Sequence, residues 1–317
     1  MEEYKMSFAM QVRGELARLN AERFCCRKAE LAALLALNAA LQENEGQQWL
    51  VAEFENAATA RKAFLLIKEL YTLPVSVSAE KRKRFRKTRV YQVKSELDEA
   101  CSNMLRELGL INAHGQFKPR IRWKLLTRNC CKRAYLRGVF LSRGFISRPE
   151  GNYHLEIVLH DQTMANEVQK LMARLNLEAR QTERKNSLVL YIKDAESIVD
   201  FLATVGASKA LLDFENVRIL KSMRNNINRQ VNFETANLVK TVDASVRQIE
   251  TIKQIVDSRG WEGIPPGLRT LAQLRLEYPD SSLKELGEMM VPPLTKSGVA
   301  HRMRKLEDLA DRIMLGE

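Results

Sequence analysis

Seven of the ten residues from Glu80 to Arg89 are lysine or arginine, in the order Glu80-Lys81-Arg82-Lys83-Arg84-Phe85-Arg86-Lys87-Thr88-Arg89. A run this dense suits the phosphates of a polyanion, each neutralised phosphate contributing through counterion release. A second cationic series is spaced differently. Lys118, Arg120, Arg122 and Lys124 recur at every second residue, with Pro119, Ile121, Trp123 and Leu125 between them. An extended segment of that pattern has one basic and one apolar face. A third group lies at Lys296, Ser297, His301, Arg304 and Lys305, with Arg302 beside them. Cations and a hydroxyl on one side of a helix start are the chemistry that reads base edges in a major groove. All three groups describe binding, not bond-breaking.

Metal and nucleophile chemistry is sparser. The histidines His114, His154, His160 and His301 form no HxxxH pair, and the vicinal pairs Cys25-Cys26 and Cys130-Cys131 lack the CxxC spacing of zinc sites. No metal site and no cofactor are therefore expected, and the cysteines read as small buried residues preceding each helix. Five cysteines, an odd number, with no leader-like charged and apolar start, point to a cytoplasmic chain with free thiols. The longest uncharged run, Leu31 to Gln42, is far shorter than the roughly 20 residues that a membrane-spanning helix needs. No membrane and no small-molecule partner are expected.

The net charge of +12 is unevenly placed. Residues 1–225 carry 38 basic against 26 acidic side chains, and residues 226–317 carry 13 of each. The excess is concentrated in two acid-free stretches, residues 81–95 with eight cations and residues 108–149 with ten. Such a field points to a polyanion partner and does not distinguish one polyanion from another.

These groups are positioned by a repeat. At an offset of 105, Cys25-Cys26-Arg27-Lys28-Ala29-Glu30-Leu31 meets Cys130-Cys131-Lys132-Arg133-Ala134-Tyr135-Leu136. The register runs without a gap to Leu70 and Leu175, with ten of 46 pairs identical, where ordinary residue usage gives roughly three. Past a gap it resumes at offsets of 99 and 97, as in Val90/Val189 and Gly109/Gly206. Within a copy the hydrophobic period changes from helical (Leu31 to Leu41) to alternating (Leu50, Ala52, Phe54), then helical again (Ala63, Ile67, Leu70). A second pair of strands follows, Val75–Ser78 with Val90–Val93, matched by Glu178–Thr182 with Leu188–Ile192, and a short helix closes each copy. The order predicts an α+β fold of antiparallel sheets with helices on one face. The basic run falls at the tip of the second hairpin of copy one.

The last third reads as all helix. Asn225 to Gln230 suggests a polar linker, followed by a helix from about Glu234 to Ser258 and, after Pro265-Pro266, another through Leu268, Leu271 and Leu274. Ser282-Leu283-Lys284-Glu285 is a capping-box pattern opening a short helix that Pro292-Pro293 stops. A last helix from Thr295 or Ser297 buries Val299, Met303, Leu306, Ala310 and Ile313. Short helix, turn and longer helix match a helix-turn-helix.

The segments Leu31-Ala32-Ala33-Leu34-Leu35-Ala36-Leu37-Asn38-Ala39 and Leu136-Arg137-Gly138-Val139-Phe140-Leu141-Ser142-Arg143-Gly144 resemble the LAGLIDADG motif of homing endonucleases, in register with the repeat. The resemblance implies that small residues at the third and ninth places let two helices pack closely, and that the eighth place of an active nuclease holds a metal-binding acid. Here those places are Asn38 and Arg143, which implies lost catalysis. The run Arg229 to Ala244, together with Tyr135 to Leu141 and Tyr153-His154-Leu155-Glu156, closely resembles the WhiA family of Gram-positive bacteria over nearly the whole chain. That resemblance implies a LAGLIDADG-like domain over residues 1–222 (copies at about 1–110 and 125–218), a linker at 223–235 and a helix-turn-helix domain at 236–317. It further implies a non-catalytic, nucleoid-associated DNA binder that regulates transcription in sporulation, or in cell division and chromosome segregation, with RNA polymerase or another transcription factor as protein partner. Competing readings are a residual metal-dependent nuclease using Glu43 or Glu150, and a scaffold that binds RNA or an acidic protein.

Overall fold

A computed structural model describes residues 7–81, 89–112 and 114–315, which separate into one unit up to Lys221 and another from Ser222. The first unit opens with α1 (Phe8–Arg18), which the repeat does not contain. Copy one then follows as α2 (Phe24–Asn38), β1 (Ala39–Asn44), β2 (Gln47–Phe54), α3 (Ala57–Tyr71), β3 (Ser76–Lys81), β4 (Arg89–Glu96) and α4 (Glu99–Leu108). Copy two is α5 (Asn129–Arg143), β5 (Gly144–Ile146), β6 (Leu155–Leu159), α6 (Gln162–Ala173), β7 (Arg180–Arg184), β8 (Ser187–Ile192) and α7 (Ala195–Val205). Both sheets are antiparallel and share one strand order, β1-β2-β4-β3 and β5-β6-β8-β7. The repeat is therefore one fold used twice.

Local signals reproduce the same register. Asn56 and Asp161, 105 residues apart, cap α3 and α6 by accepting from first-turn N–H groups, at 2.8 Å from Ala58 and 2.7 Å from Met164. Gly109 (φ 79°) and Gly206 (φ 90°) end α4 and α7 in the left-handed conformation that a Cβ disfavours. Alternation along β2 and β6 sends Leu50, Ala52, Leu155, Ile157 and Leu159 into the core.

The core is organised around α2 and α5. Leu31 to Leu35 of α2 are all essentially inaccessible, as are Leu136, Val139 and Phe140 of α5. A Cβ built on Gly138 would lie 2.7 Å from the Glu30 carbonyl oxygen and 2.8 Å from the Ala33 Cβ. Only a residue without a side chain permits this approach, because interaxial distance follows the residues at the contact. At the same turn a buried ion triad ties the helices together. Arg137 donates from Nε and Nη2 to the two Glu30 oxygens at 3.0 and 2.9 Å, and Lys62 Nζ lies 2.7 Å from Glu30 Oε1. Lys62 also donates to the Leu16 and Leu19 carbonyls at 3.0 and 2.6 Å, and Arg137 Nη1 to the Val205 carbonyl at 3.2 Å. The buried charges are balanced by hydrogen bonds from α1, α7 and both central helices.

The segment 223–235, expected to be a linker, is helical: α8 runs from Ser208 to Arg259. Polar composition alone does not break a helix, and this stretch contains neither glycine nor proline. Its first turn is capped from α1, since Lys209 and Ala210 N–H donate to the Glu15 carboxylate at 2.8 and 2.9 Å. In the second unit the end of α8 contributes Ile252 and Ile255 to a core shared with α9 (Pro266–Glu277), α10 (Leu283–Met289) and α11 (Lys296–Met314). No helix among the described residues is long and apolar enough to cross a membrane.

The central packing leads to two expected outcomes in urea unfolding followed by circular dichroism. Gly138→Val, which must push α2 and α5 apart, destabilises the first unit by about 3 kcal/mol. Glu30→Gln, which keeps the shape but leaves two buried cations facing one neutral amide, costs about 3–5 kcal/mol. Unfolding midpoints within error of the parent for both would contradict this account.

Candidate nucleic-acid interface

The end of the second unit shows how a helix is presented. Ser282 and Glu285 form the reciprocal cap that the sequence predicts: Glu285 N–H donates to Ser282 Oγ at 3.3 Å and Ser282 N–H to Glu285 Oε2 at 2.7 Å. These bonds to its ionised form hold the Glu285 carboxyl below its ordinary pKa. After α10 the chain folds back on itself, with Leu294 N–H donating to the Gly287 carbonyl at 2.9 Å. A Cβ on Gly287 would lie 2.3 Å from the Leu294 carbonyl oxygen, so this close turn requires the glycine. Thr295 caps α11, accepting from Gly298 N–H at 3.2 Å, and its hydroxyl lies 3.0 Å from that of Ser297. Within α9, Arg275 is buried and donates to the Ser281 carbonyl at 2.6 Å, bracing the α9–α10 connection; burial lowers its pKa.

Helix α11 is two-sided. Val299, Met303, Leu306 and Ala310 are buried, whereas Lys296, Ser297, His301, Arg304 and Lys305 are exposed along its first three turns. Arg302 departs from this set: it is half-buried and donates from Nη1 to the Gly267 carbonyl at 3.2 Å, tying α11 to the start of α9. Sequence spacing placed it beside the cationic face, and the structure gives it a bracing bond.

The basic groups of the first unit are dispersed. Lys81 pairs in backbone register with Arg89 at the β3–β4 hairpin, which carries the basic run as its connection. Arg82, Lys83, Arg84, Arg86 and Lys87 lie outside the described residues. The alternating segment is not a strand; it passes into a 3-10 turn at Trp123–Leu126. Ile121 is buried as the alternation predicts, but two of the cations on the other face have internal partners. Arg120 lies 3.1 Å from Asp161, and Arg122 donates to the Arg106 and Glu107 carbonyls at 2.7 and 2.8 Å, closing the C-terminus of α4. Lys124 is exposed. Of the expected cationic face over Arg120, Arg122 and Lys124, two members thus also have internal partners, because unsatisfied helix carbonyls and an adjacent carboxylate draw in the guanidinium groups.

At the far ends of α2 and α5 the two eighth places meet. Asn38 Nδ2 donates to the Ser142 hydroxyl at 2.7 Å and to the Leu34 carbonyl at 2.8 Å, and Arg143 donates to the Leu37 carbonyl. Arg13 of α1 reaches the same corner and donates to the Gly144 carbonyl. Burial lowers the pKa of both arginines, opposed by the nearby Glu55 carboxylate. A recess of about 330 Å³ is lined there by Asn38, Gln42, Glu53, Glu55 and Arg143. The acids near this corner are thus Glu53 and Glu55 of β2 and the residue after it, not Glu43 or Glu150. Sequence reasoning missed them because it looked along the helix axis, whereas antiparallel pairing of β1 with β2 returns the chain to the helix end. Two arginines at such a corner repel a divalent cation.

Two copies of one helix–sheet unit joined through their first long helices, followed by a small all-helical domain, define a LAGLIDADG-like protein with a helix-turn-helix domain. Family descriptions agree: a WhiA N-terminal LAGLIDADG-like domain matches residues 24–111, a WhiA LAGLIDADG-like domain residues 132–224, and a WhiA C-terminal HTH domain residues 227–310. The chain belongs to the WhiA family. It is 55% identical over 313 residues to a probable cell division protein WhiA of Syntrophomonas wolfei, covering 98% of this chain and 99% of the relative. It is 47% identical over 308 residues to the protein of the same description in Desulfitobacterium hafniense, covering 97% and 96%. The crystal structure of full-length WhiA from Thermatoga maritima is similar with a TM-score of 0.60 and 26% identity, over 97% of this chain and 99% of that one.

The two roles found on α11 are separable by stability. Arg302→Ala removes a hydrogen bond from a charged donor and lowers the unfolding free energy of the second unit by about 1–2 kcal/mol. Arg304→Ala, on the exposed side, changes it by less than about 0.5 kcal/mol. Chemical unfolding of the two variants is the check, and equal destabilisation would contradict the assignment.

Proposed function

We propose that this protein is a non-catalytic binder of double-stranded DNA that regulates transcription in cell division and chromosome segregation. The observation that carries the reading is the two-sidedness of α11: a sealed apolar face fixes the helix in its domain, and the opposite face offers Lys296, Ser297, His301, Arg304 and Lys305 to a groove. The basic hairpin connection after Lys81 supplies sequence-independent affinity through phosphates, and Lys124 adds to it. Asn38 and Arg143 in place of acids, with Arg13 beside them, support loss of hydrolysis. The division role rests on what the relatives are named, and a regulator of this kind works beside RNA polymerase or another transcription factor.

A gel-shift series on cognate duplexes, selected from genomic fragments bound by the protein, tests the division of labour. Lys296→Ala and Arg304→Ala weaken cognate binding by about 1–3 kcal/mol each and leave random duplex nearly unchanged. Replacing Lys81 to Lys87 by neutral residues weakens both duplexes alike and flattens the salt dependence by about one unit per lost phosphate contact. Equal losses on random and cognate DNA for both sets would overturn the reading.

The rival reading, a metal-dependent nuclease, has one observation in its favour, the pair Glu53 and Glu55 lining the recess at the helix ends. Supercoiled plasmid incubated with magnesium or manganese stays intact if hydrolysis is lost. Nicking abolished by Glu53→Gln or Glu55→Gln would establish the nuclease instead.

A further inference from the structure

The vicinal cysteines do not precede the central helices; they lie in their first turns, and the two pairs meet. Cys25 and Cys26 of α2 and Cys130 and Cys131 of α5 bring their four Sγ atoms within 4.8 Å of one another. We infer that these four thiols form a structural site for one soft divalent cation, zinc being the natural occupant, which clips the start of α2 to the start of α5. The inference is independent of the DNA-binding reading.

Three features beyond proximity support it. A tetrahedral zinc with Zn–S bonds of about 2.3 Å places its sulfurs about 3.8 Å apart, so the cluster needs only small side-chain rotations to close on a single ion. A four-iron cluster holds its cysteine sulfurs farther apart. The charge environment is also matched. Neither helix has an acid in its first turn and neither N-cap side chain, Arg23 or Arg128, makes a capping bond. Two positive helix ends therefore converge, each worth roughly half a charge, and Arg23 Nη1 lies 3.9 Å from Cys130 Sγ. Neutral thiols leave that field uncompensated. Four thiolates around a divalent cation carry two net negative charges and answer it. Finally, access is graded: Cys26 and Cys131 are buried, whereas Cys25 and Cys130 are half-exposed and give an ion a way in.

Loading is a proton exchange with no redox change. The cation displaces four thiol protons to solvent and forms four metal–sulfur bonds, so affinity rises with pH. The pairing needs both copies, since each supplies only two ligands at adjacent positions of one helix turn. The fifth cysteine, Cys101 in α4, is buried apart from this group and serves as a control.

The test uses the full chain, reduced and stripped by chelator, then titrated with cobalt(II) as a spectroscopic stand-in and with zinc as competitor. The expected result is one cobalt per chain with the visible d–d bands of tetrahedral tetrathiolate cobalt, bleached by one equivalent of zinc. Mass-spectrometric metal analysis of the chain purified from zinc-supplemented cells finds about one zinc, released by a mercurial thiol reagent. Cys25→Ser and Cys130→Ser weaken cobalt binding at least about tenfold with the helical circular dichroism retained, and Cys101→Ser leaves it unchanged. A reduced, folded parent chain that gives no tetrathiolate spectrum overturns the site, whatever the variants do. So does equal weakening by Cys101→Ser, or recovery of the four sulfurs as disulfides in a chain that refuses metal after reduction.

Discussion

The first unit depends on one close approach, that of α2 to α5. Gly138 lies where any side chain would strike the Glu30 carbonyl and Ala33, so the two helices meet backbone to backbone over this turn. Packing at that distance shields the Glu30, Arg137 and Lys62 charges from water, which makes their mutual satisfaction obligatory. It also decides what happens at both ends of the helix pair. Side chains at equivalent places of the two copies are forced together, whatever chemistry they carry.

The two ends carry opposite chemistry. At the C-terminal ends Asn38 binds Ser142 and Arg143 binds the Leu37 carbonyl, and these bonds complete the helix termini. At the N-terminal ends the converging partial positive charges meet sulfur. One geometric rule thus explains a hydrogen-bonded corner and a thiol cluster in the same helix pair. The copies are alike in topology but not in charge: Tyr135 and Glu167 occupy the places of Glu30 and Lys62, so the triad exists once and joins the copies asymmetrically.

The second unit solves a different problem, holding a helix rigid while leaving one side bare. A reciprocal Ser282–Glu285 cap, a turn seated on Gly287 and the Arg302 bond to the Gly267 carbonyl fix α10 and α11 with few residues. Because backbone bonds and caps carry the positioning, exposed side chains on α11 are free to vary in chemistry without loss of fold.

Much of this was legible in the amino-acid sequence. The repeat at 105 residues, the alternation in β2 and β6, the capping box and the buried stripe Val299, Met303, Leu306 and Ala310 follow from local periodicity and stereochemistry, which act between near neighbours. Polar composition misled at 223–235, where the absence of glycine and proline was the stronger signal. Whether a cation is free to meet a phosphate depends on distant acceptors, and the internal partners of Arg120, Arg122 and Arg302 are not visible in residue spacing. The cysteines show the boundary most clearly. Their spacing within each copy resembles no metal site, and only the packing of α2 on α5 brings four of them together. Linear order determined what each copy folds into, through forces that reach a few residues; the close contact between copies decided what their equivalent positions meet, because that proximity is a property of two surfaces and is written in neither one.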